Sequence, residues 1–261
     1  LIKFAPESLH VVDVSENNLA ELVRDLRGSS SISSSTDFRT LPIDYGNPIM
    51  NRLLLAEKHY DYILNFAALK HVRSEKDVFS LLQMIDTNIV KQARFLKWAS
   101  SLSNKLRYFS VSTDKAANPV NLMGATKRFM EHVMFSDEIS TSENRIISSA
   151  RFANVAFSDG SLLYGWMHRL AKDQPIPVPE KTKRYFVSLE EAGHICMLAS
   201  IFASNKSIVI PNLDPSSDLV ELLPVAIKFI EMNGFKPREY HDEKEAITNT
   251  ISDKANGFYP L

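Results

Sequence analysis

A chain of 261 residues, 44% of them hydrophobic, suits one large α/β domain or a domain with a smaller lobe and can bury an ordinary core. Thirty basic residues against 31 acidic leave a net charge of −1, which argues against a chain-wide attraction to nucleic acid or to a membrane surface. The single cysteine, Cys196, excludes an intrachain disulfide and a cysteine-cluster metal site, and no metal is expected. No apolar run approaches the roughly 18 residues of a membrane span and no signal peptide is visible, so a soluble, reducing, cytoplasmic setting is expected.

In chain order, residues 1–4 read as the end of a helix broken by Pro6, and residues 9–14 as a buried strand carrying Asp13. Ser15 can cap a helix from Glu16 to about Arg27. A strand tipped by an acidic residue and followed by a helix matches the second βα unit of a dinucleotide-binding fold. There the carboxylate bonds a ribose hydroxyl, and a glycine-rich phosphate loop lies about 20 residues earlier. The eight glycines of this chain form no such loop, so either the first βα unit is missing by truncation or the fold never had it; Leu1 opening inside an uncapped helix favours truncation. Residues 28–36 (GSSSISSST) form a low-complexity connection. Residues 38–43 return to a strand ending at Asp44-Tyr45, and a helix follows over 48–59. The next buried strand, 60–66, runs into Ala67, Ala68, Leu69, Lys70 and His71. Small residues at a strand's end let a cofactor approach the backbone; tight helix packing explains Ala67 and Ala68 equally well. One long helix is expected over 75–102, with Asn88 at its middle, facing solvent or bonding the backbone of a neighbouring strand.

Residues 108–130, YFSVSTDKAANPVNLMGATKRFM, organise the rest. They open as a strand, Asn118-Pro119 forbids a helix there, and after the N-cap candidate Asn121 the residues Met123, Lys127 and Met130 fall at helical spacing. Thr113, Asp114 and Lys115 therefore sit where a strand ends, the edge at which open parallel sheets bind ligands. A carboxylate beside an ammonium there is a candidate acid/base pair. Beyond it, residues 145–155 read as one strand, 161–172 as a helix, 175–179 as extended and 181–187 as a basic-aromatic segment. Ser188 caps a helix over 189–202, residues 207–210 form a short strand, 219–232 a helix, and the tail from Pro237 is polar and charged. The pattern predicts a doubly wound parallel α/β sheet: a Rossmann-like domain over 1–155 and a smaller substrate lobe over 156–261, with a strand at 207–211 able to return to the main sheet.

NFAALKHV at 65–72, STDKAANPVNLMGATKR at 112–128, RFANVAFSDGS at 151–161 and KRYFV at 183–187 together resemble the nucleotide-sugar 4,6-dehydratases. These form the polysaccharide-biosynthesis branch of the extended short-chain dehydrogenase/reductase superfamily. The resemblance implies an NAD-dependent hydro-lyase acting on a UDP-N-acetylhexosamine, usually UDP-N-acetylglucosamine. In such a reaction hydride leaves sugar C4, water is eliminated across C5 and C6, and hydride returns to C6. It implies that Asp114 protonates the departing 6-hydroxyl and Lys115 removes the C5 proton. Burial is then expected to keep Asp114 protonated and Lys115 neutral, or the two share a proton. Thr113 belongs to the same turn.

By the same resemblance Lys127 bonds the nicotinamide ribose, while Met123 occupies the position where the superfamily usually carries the tyrosine base. Lys127, then Asp114, then Lys70 are the replacements for that base. Asp13 is assigned to the adenosine ribose, and its charge favours NAD over NADP. Asp44 and Tyr45 fall at the adenine, Ala67, Ala68 and Lys70 along the cofactor and inner pocket, and Asn88 beneath the active-site strand. Asn154 and Arg184 map to diphosphate and sugar positions, and Ser161 is a further substrate candidate. Other readings are a nucleotide-sugar epimerase on the same scaffold and a non-catalytic nucleotide-binding module. The superfamily's habit of pairing through long helices implies a homo-oligomer. The polar ending at Leu261 also looks cut.

Overall fold

The structure, a computed structural model, describes residues 1–29, 32–102, 105–136, 145–179 and 181–261. Residues 30 and 31 of the low-complexity connection lie outside them. The chain forms two compact units, Leu1–Ser149 with Ala199–Ile208, and Ala150–Leu198 with Val209–Leu261. Among the described residues no helix is long and apolar enough to cross a membrane.

The first unit is built from strands and helices in alternation. Strand β1 (Ser8–Asp13) pairs in parallel with β2 (Asp37–Pro42), joined by helix α1 (Glu16–Gly28), whose first turn is capped by Ser15. Helix α2 (Pro48–Glu57) starts at Asn47 with proline in its first turn, where the missing N–H costs nothing. Strand β3 (Tyr62–Asn65) runs parallel to β4 (Leu106–Val111) with Asn65 level with Ser110. With β5 (Arg145–Ala150) and β8 (Ser207–Val209) they form a sheet in the order β3-β4-β5-β8. The α/β architecture with parallel pairing is the one expected, but the described strands divide it into this sheet and the separate β1–β2 pair. The core lies where Met50 and Leu54 of α2 and Met130 and Met134 of helix α5 (Leu122–Met134) meet Leu106 and Tyr108.

The long helix expected over 75–102 is interrupted. A 3-10 turn (Val72–Lys76) leads into α3 (Val78–Ile85), a π-turn follows (Asp86–Val90), and α4 (Lys91–Ala99) completes the run. Asp77 caps α3 by accepting from the Ser80 N–H at 3.1 Å. The π-turn widens the helix by one residue per turn and carries Asn88 into the interior, where three hydrogen bonds offset the irregular backbone.

In the second unit, the strand expected over 145–155 is broken after β5, because residues 154–155 join a different sheet. Strand β6 (Asn154–Val155) pairs in parallel with β7 (Lys183–Val187), and β9 (Leu219–Glu221) pairs with β7 in antiparallel. Residues 219–221, expected to be helical, are thus strand. Helices α6 (Leu162–Ala171), α7 (Leu189–Phe202) and α8 (Leu222–Met232) follow the predicted order. Trp166, Ile176, Ala226, Ile230 and Tyr259 make its core. The tail read only as polar and charged is folded as β10 (Lys236–Arg238), α9 (Glu243–Ala255) and β11 (Phe258–Pro260). Its polarity is partly internal: Asp253 is buried against Arg238 and accepts from Tyr240 Oη at 2.8 Å.

Candidate active site

The turn after β4 carries the acid/base candidates. Thr113 Oγ1 donates to Asp114 Oδ1 at 2.8 Å, the Lys115 N–H donates to the same oxygen at 2.8 Å, and Lys115 Nζ does so at 3.1 Å. A single 3-10 turn, Asp114–Ala116, holds the pair, capped by Thr113. Three donors on Oδ1 orient the carboxylate and leave Oδ2 as the face for chemistry. The expectation of a buried acid and amine is not met: the side chains remain 45% and 35% exposed, in direct contact as an ion pair. A tight turn beyond the last sheet residue has too few neighbours to cover them.

Helix α5 supplies the wall behind this turn. Asn121 Oδ1 accepts from the Gly124 N–H at 2.8 Å, and Glu75 Oε1 accepts from the Met123 N–H at 2.7 Å, so two side chains satisfy the first-turn donors. Met123 is buried on the inner face of the helix, its thioether unable to take the role of a phenol. One turn on, Lys127 is 4% exposed and its Nζ donates to the Val111 carbonyl at 3.0 Å. Burial lowers its pKa from 10.5 to about 8, opposed by the nearby charge of Glu131.

Gly124 has a steric task. A Cβ there would lie 2.8 Å from the Lys115 carbonyl oxygen, a backbone atom that cannot swing aside. Gly124→Ala is therefore expected to displace the Lys115 turn. It should destabilise the protein by about 1–3 kcal/mol despite alanine's better helix propensity, and lower turnover about tenfold. Urea unfolding midpoints and initial rates on the purified variant check both figures.

Of the residues that the resemblance assigns to the cofactor, Asp13 stands at the end of β1 with Oδ1 held by the Ser15 N–H at 2.7 Å. Asp44 accepts from the Gly46 N–H at 2.8 Å and pairs with Lys91. Partial burial pushes its carboxyl up, but Lys91, the Gly46 N–H and nearby Arg94 outweigh that and hold it below the usual range. Tyr45, assigned to the adenine, packs its ring edge-on to Phe95 against the core and donates to the Thr87 carbonyl. Burial pushes its phenol well up, so that ring acts as an anchor. Ala67 is exposed and Ala68 half-buried, with the Ala67 N–H donating to Asn65 Oδ1 at 3.0 Å. Asn88, 1% exposed, bonds the Leu69 N–H and carbonyl at 2.9 Å each and Thr126 Oγ1 at 3.0 Å. Its amide takes backbone, as in the second alternative, but that of the loop after β3 and not of a strand, clamping the segment that presents Ala68 and exposed Lys70.

In the second unit, Asn154 Nδ2 donates to the Tyr185 carbonyl at 3.2 Å, tying β6 to β7. Exposed Arg184 donates to the Lys183 carbonyl at 2.9 Å. Ser161 caps α6 by accepting from the Tyr164 N–H at 3.2 Å. Sequence reasoning missed Gly124, Glu75, Ser112 and Glu131. The last carried a signal, since it lies one turn after Lys127 on the same helical face. Cys196 is buried and its thiol is pushed up to about 11, which suits packing better than nucleophilic chemistry.

The family model described as polysaccharide biosynthesis protein matches residues 1–252. The chain belongs to that family. Two relatives of this family member are the uncharacterized membrane protein MJ1061 of Methanocaldococcus jannaschii and the capsular polysaccharide biosynthesis protein CapD of Staphylococcus aureus. The first is 29% identical over 243 residues, covering 92% of this chain and 69% of its own. CapD is 26% identical over 260 residues, covering 95% of this chain and 42% of its own, so the chain spans less than half of that relative. Among solved structures, Pen of Bacillus thuringiensis is similar with a TM-score of 0.75 at 25% identity, covering 88% of this chain and 67% of that one. The Bordetella bronchiseptica enzyme WbmF, in complex with NAD+ and UDP, has a TM-score of 0.65 at 13% identity, covering 90% of this chain and 79% of that one, and so shares the fold. The fold is the Rossmann-like one of the short-chain dehydrogenase/reductases.

Proposed function

We propose that this family member is an NAD-dependent UDP-N-acetylglucosamine 4,6-dehydratase serving polysaccharide biosynthesis. The observation that carries the reading is the Asp114–Lys115 pair, oriented by Thr113 at the end of β4 with one carboxylate oxygen left over. Elimination across C5 and C6 needs an acid for the departing oxygen and a base for the C5 proton. Asp114 supplies the first and Lys115 Nζ the second. As an ion pair the two hold their protons the wrong way round for this, so a proton first moves from Lys115 Nζ to Asp114 along their 3.1 Å contact; the carboxyl then protonates the departing oxygen and the neutral amine takes the C5 proton, which restores the ion pair. Both are half-exposed, so the bound sugar itself must complete the exclusion of water around them.

The residues present fit NAD at its ribose ends. Asp13 has one oxygen fixed by Ser15, and its charge opposes a 2′-phosphate. Lys127 Nζ donates to the Val111 carbonyl and, at 3.6 Å, to Met130 Sδ, which leaves its remaining valence for a ribose hydroxyl. No glycine-rich phosphate loop occurs in these 261 residues. Bound NAD would accept hydride from C4 and return it to C6. With a pKa of about 8, Lys127 has a neutral fraction near pH 7 and takes the C4 hydroxyl proton in place of the absent tyrosine. The NAD+ and UDP held by WbmF support a UDP-linked substrate; within the second unit, Asn154 and Arg184 offer an amide and a cation suited to a diphosphate.

The full-length protein, incubated with UDP-N-acetylglucosamine, should release a 4-keto-6-deoxy product. A C4 epimer would point to the epimerase reading, and NAD binding without turnover to a binding module.

A homo-oligomer fits the exposed apolar residues Val78, Phe79 and Leu82 on α3 and Leu122 and Phe129 on α5, two helices that pack together. Phe79→Glu with Phe129→Glu should reduce the mass measured by light scattering to that of one chain. An unchanged mass would place the interface elsewhere.

A further inference from the structure

Two consecutive residues at the end of β4 are each gripped by a charged residue of α5. Lys127 Nζ donates to the Val111 carbonyl at 3.0 Å, and Ser112 Oγ donates to Glu131 Oε1 at 2.6 Å. Glu131 is 3% exposed, and a carboxylate so buried is costly to keep unless it is paired. Lys127, one turn earlier on α5, supplies the nearby charge. A short buried bond from its hydroxyl to a side chain of α5 comes in addition to the backbone pairing of β4, so Ser112 is held more firmly than a strand end usually is. The next residues are Thr113, Asp114 and Lys115, and the Lys115 carbonyl rests against Gly124. The turn is therefore fixed to α5 at two points, at Ser112 before the acid/base pair and at the carbonyl of the pair's second member, Lys115.

We propose that Glu131 is a positioning residue which, through its hydrogen bond with Ser112, fixes the end of β4 so that the Asp114–Lys115 turn is presented in a single orientation. The catalytic consequence rests on the dehydratase reading; the effect on the turn does not. Glu131 touches no reacting atom in this scheme. Removing its bond leaves the two catalytic groups present but lets the turn that carries them move relative to the cofactor-side residues of α5, an error to which positioned acid/base chemistry is sensitive.

The test uses Ser112→Ala, Ser112→Thr and Glu131→Gln in the full-length protein. Ser112→Ala removes the donor with little other change, Ser112→Thr restores a hydroxyl, and Glu131→Gln weakens the acceptor. If Glu131→Gln fails to fold, because Lys127 loses its counter-charge, the serine variants still decide. Amide hydrogen exchange is read over residues 112–116 and, separately, over α5. Exchange over 112–116 should accelerate about tenfold or more in Ser112→Ala, with α5 unchanged and protection recovered in Ser112→Thr. With UDP-N-acetylglucosamine, kcat should fall about tenfold in Ser112→Ala while KM stays within about twofold. Unchanged exchange over 112–116 overturns the proposal, as does accelerated exchange with kcat unaltered in an active parent. Should the parent show no turnover of this substrate, the dehydratase reading fails by itself, and the exchange measurement still settles whether Glu131 holds the turn.

Discussion

On the proposed dehydratase reading, Lys115→Met is expected to lower dehydration about a thousandfold while leaving NAD affinity within about twofold. Methionine keeps the length and much of the volume of lysine but has no group that can take a proton. Lys115 is the residue whose Nζ reaches Asp114 Oδ1 at 3.1 Å, so its loss also frees Asp114 from one of three donors. Asp114→Asn separates the two roles. That variant keeps the amine and should still exchange the C5 proton with solvent once C4 is oxidised, but it should not expel the C6 oxygen. Lys115→Met should do neither. Stopped reactions analysed by mass spectrometry for solvent deuterium and for loss of oxygen give both readings from one sample. Parental C5 exchange in Lys115→Met would remove Lys115 from the base role.

Lys127→Met is expected to make the protein more stable and less active. Lowering the pKa of this buried lysine from 10.5 to about 8 corresponds to about 3 kcal/mol spent on holding its charge in the core at neutral pH. The sign follows from proton counting. Between about pH 8 and 10.5 the unfolded chain holds the proton that the folded chain has released, so parental stability rises with pH across that window. Below it the full penalty applies. Lys127→Met should therefore gain up to about 3 kcal/mol at pH 7, less what the hydrogen bond to Val111 contributes and what it costs to leave buried Glu131 without that neighbouring charge, and the gain should shrink as the pH approaches 10. Turnover should fall about a hundredfold or more, because both the ribose contact and the C4 proton acceptor go. Urea unfolding at pH 7 and at pH 9.5 checks the stability side. A variant less stable than the parent at pH 7 would mean that Lys127 supports the fold more than it strains it.

The strand-turn-helix around Asp114 was legible because three local signals agree: alternation into Ser112, a proline stop at Asn118-Pro119, and Asn121 as cap. The breaks elsewhere were not local matters. The π-turn at Asn88 exists because its amide meets Leu69, 19 residues away in sequence, and periodicity carries no trace of that partner. The split of the strand expected over 145–155 follows from β6 pairing with β7, about 30 residues further on. The folded tail was hidden because α9 buries Ala246, Thr250 and Asp253, a face whose small and polar residues give no apolar stripe. At the site, residue types were readable from the motif, whereas the exposure of Asp114 and Lys115 and the supports given by Glu75, Gly124 and Glu131 depend on packing.

The reading of this chain stands on a carboxyl and an amine at one strand end acting together on a sugar's C5–C6 bond. Nuclear magnetic resonance of the product formed from UDP-N-acetylglucosamine in deuterated water tests that most directly. Deuterium at C5 of a 6-deoxy-4-keto sugar is the predicted spectrum; a sugar that keeps its 6-hydroxyl and carries no label at C5 would contradict it.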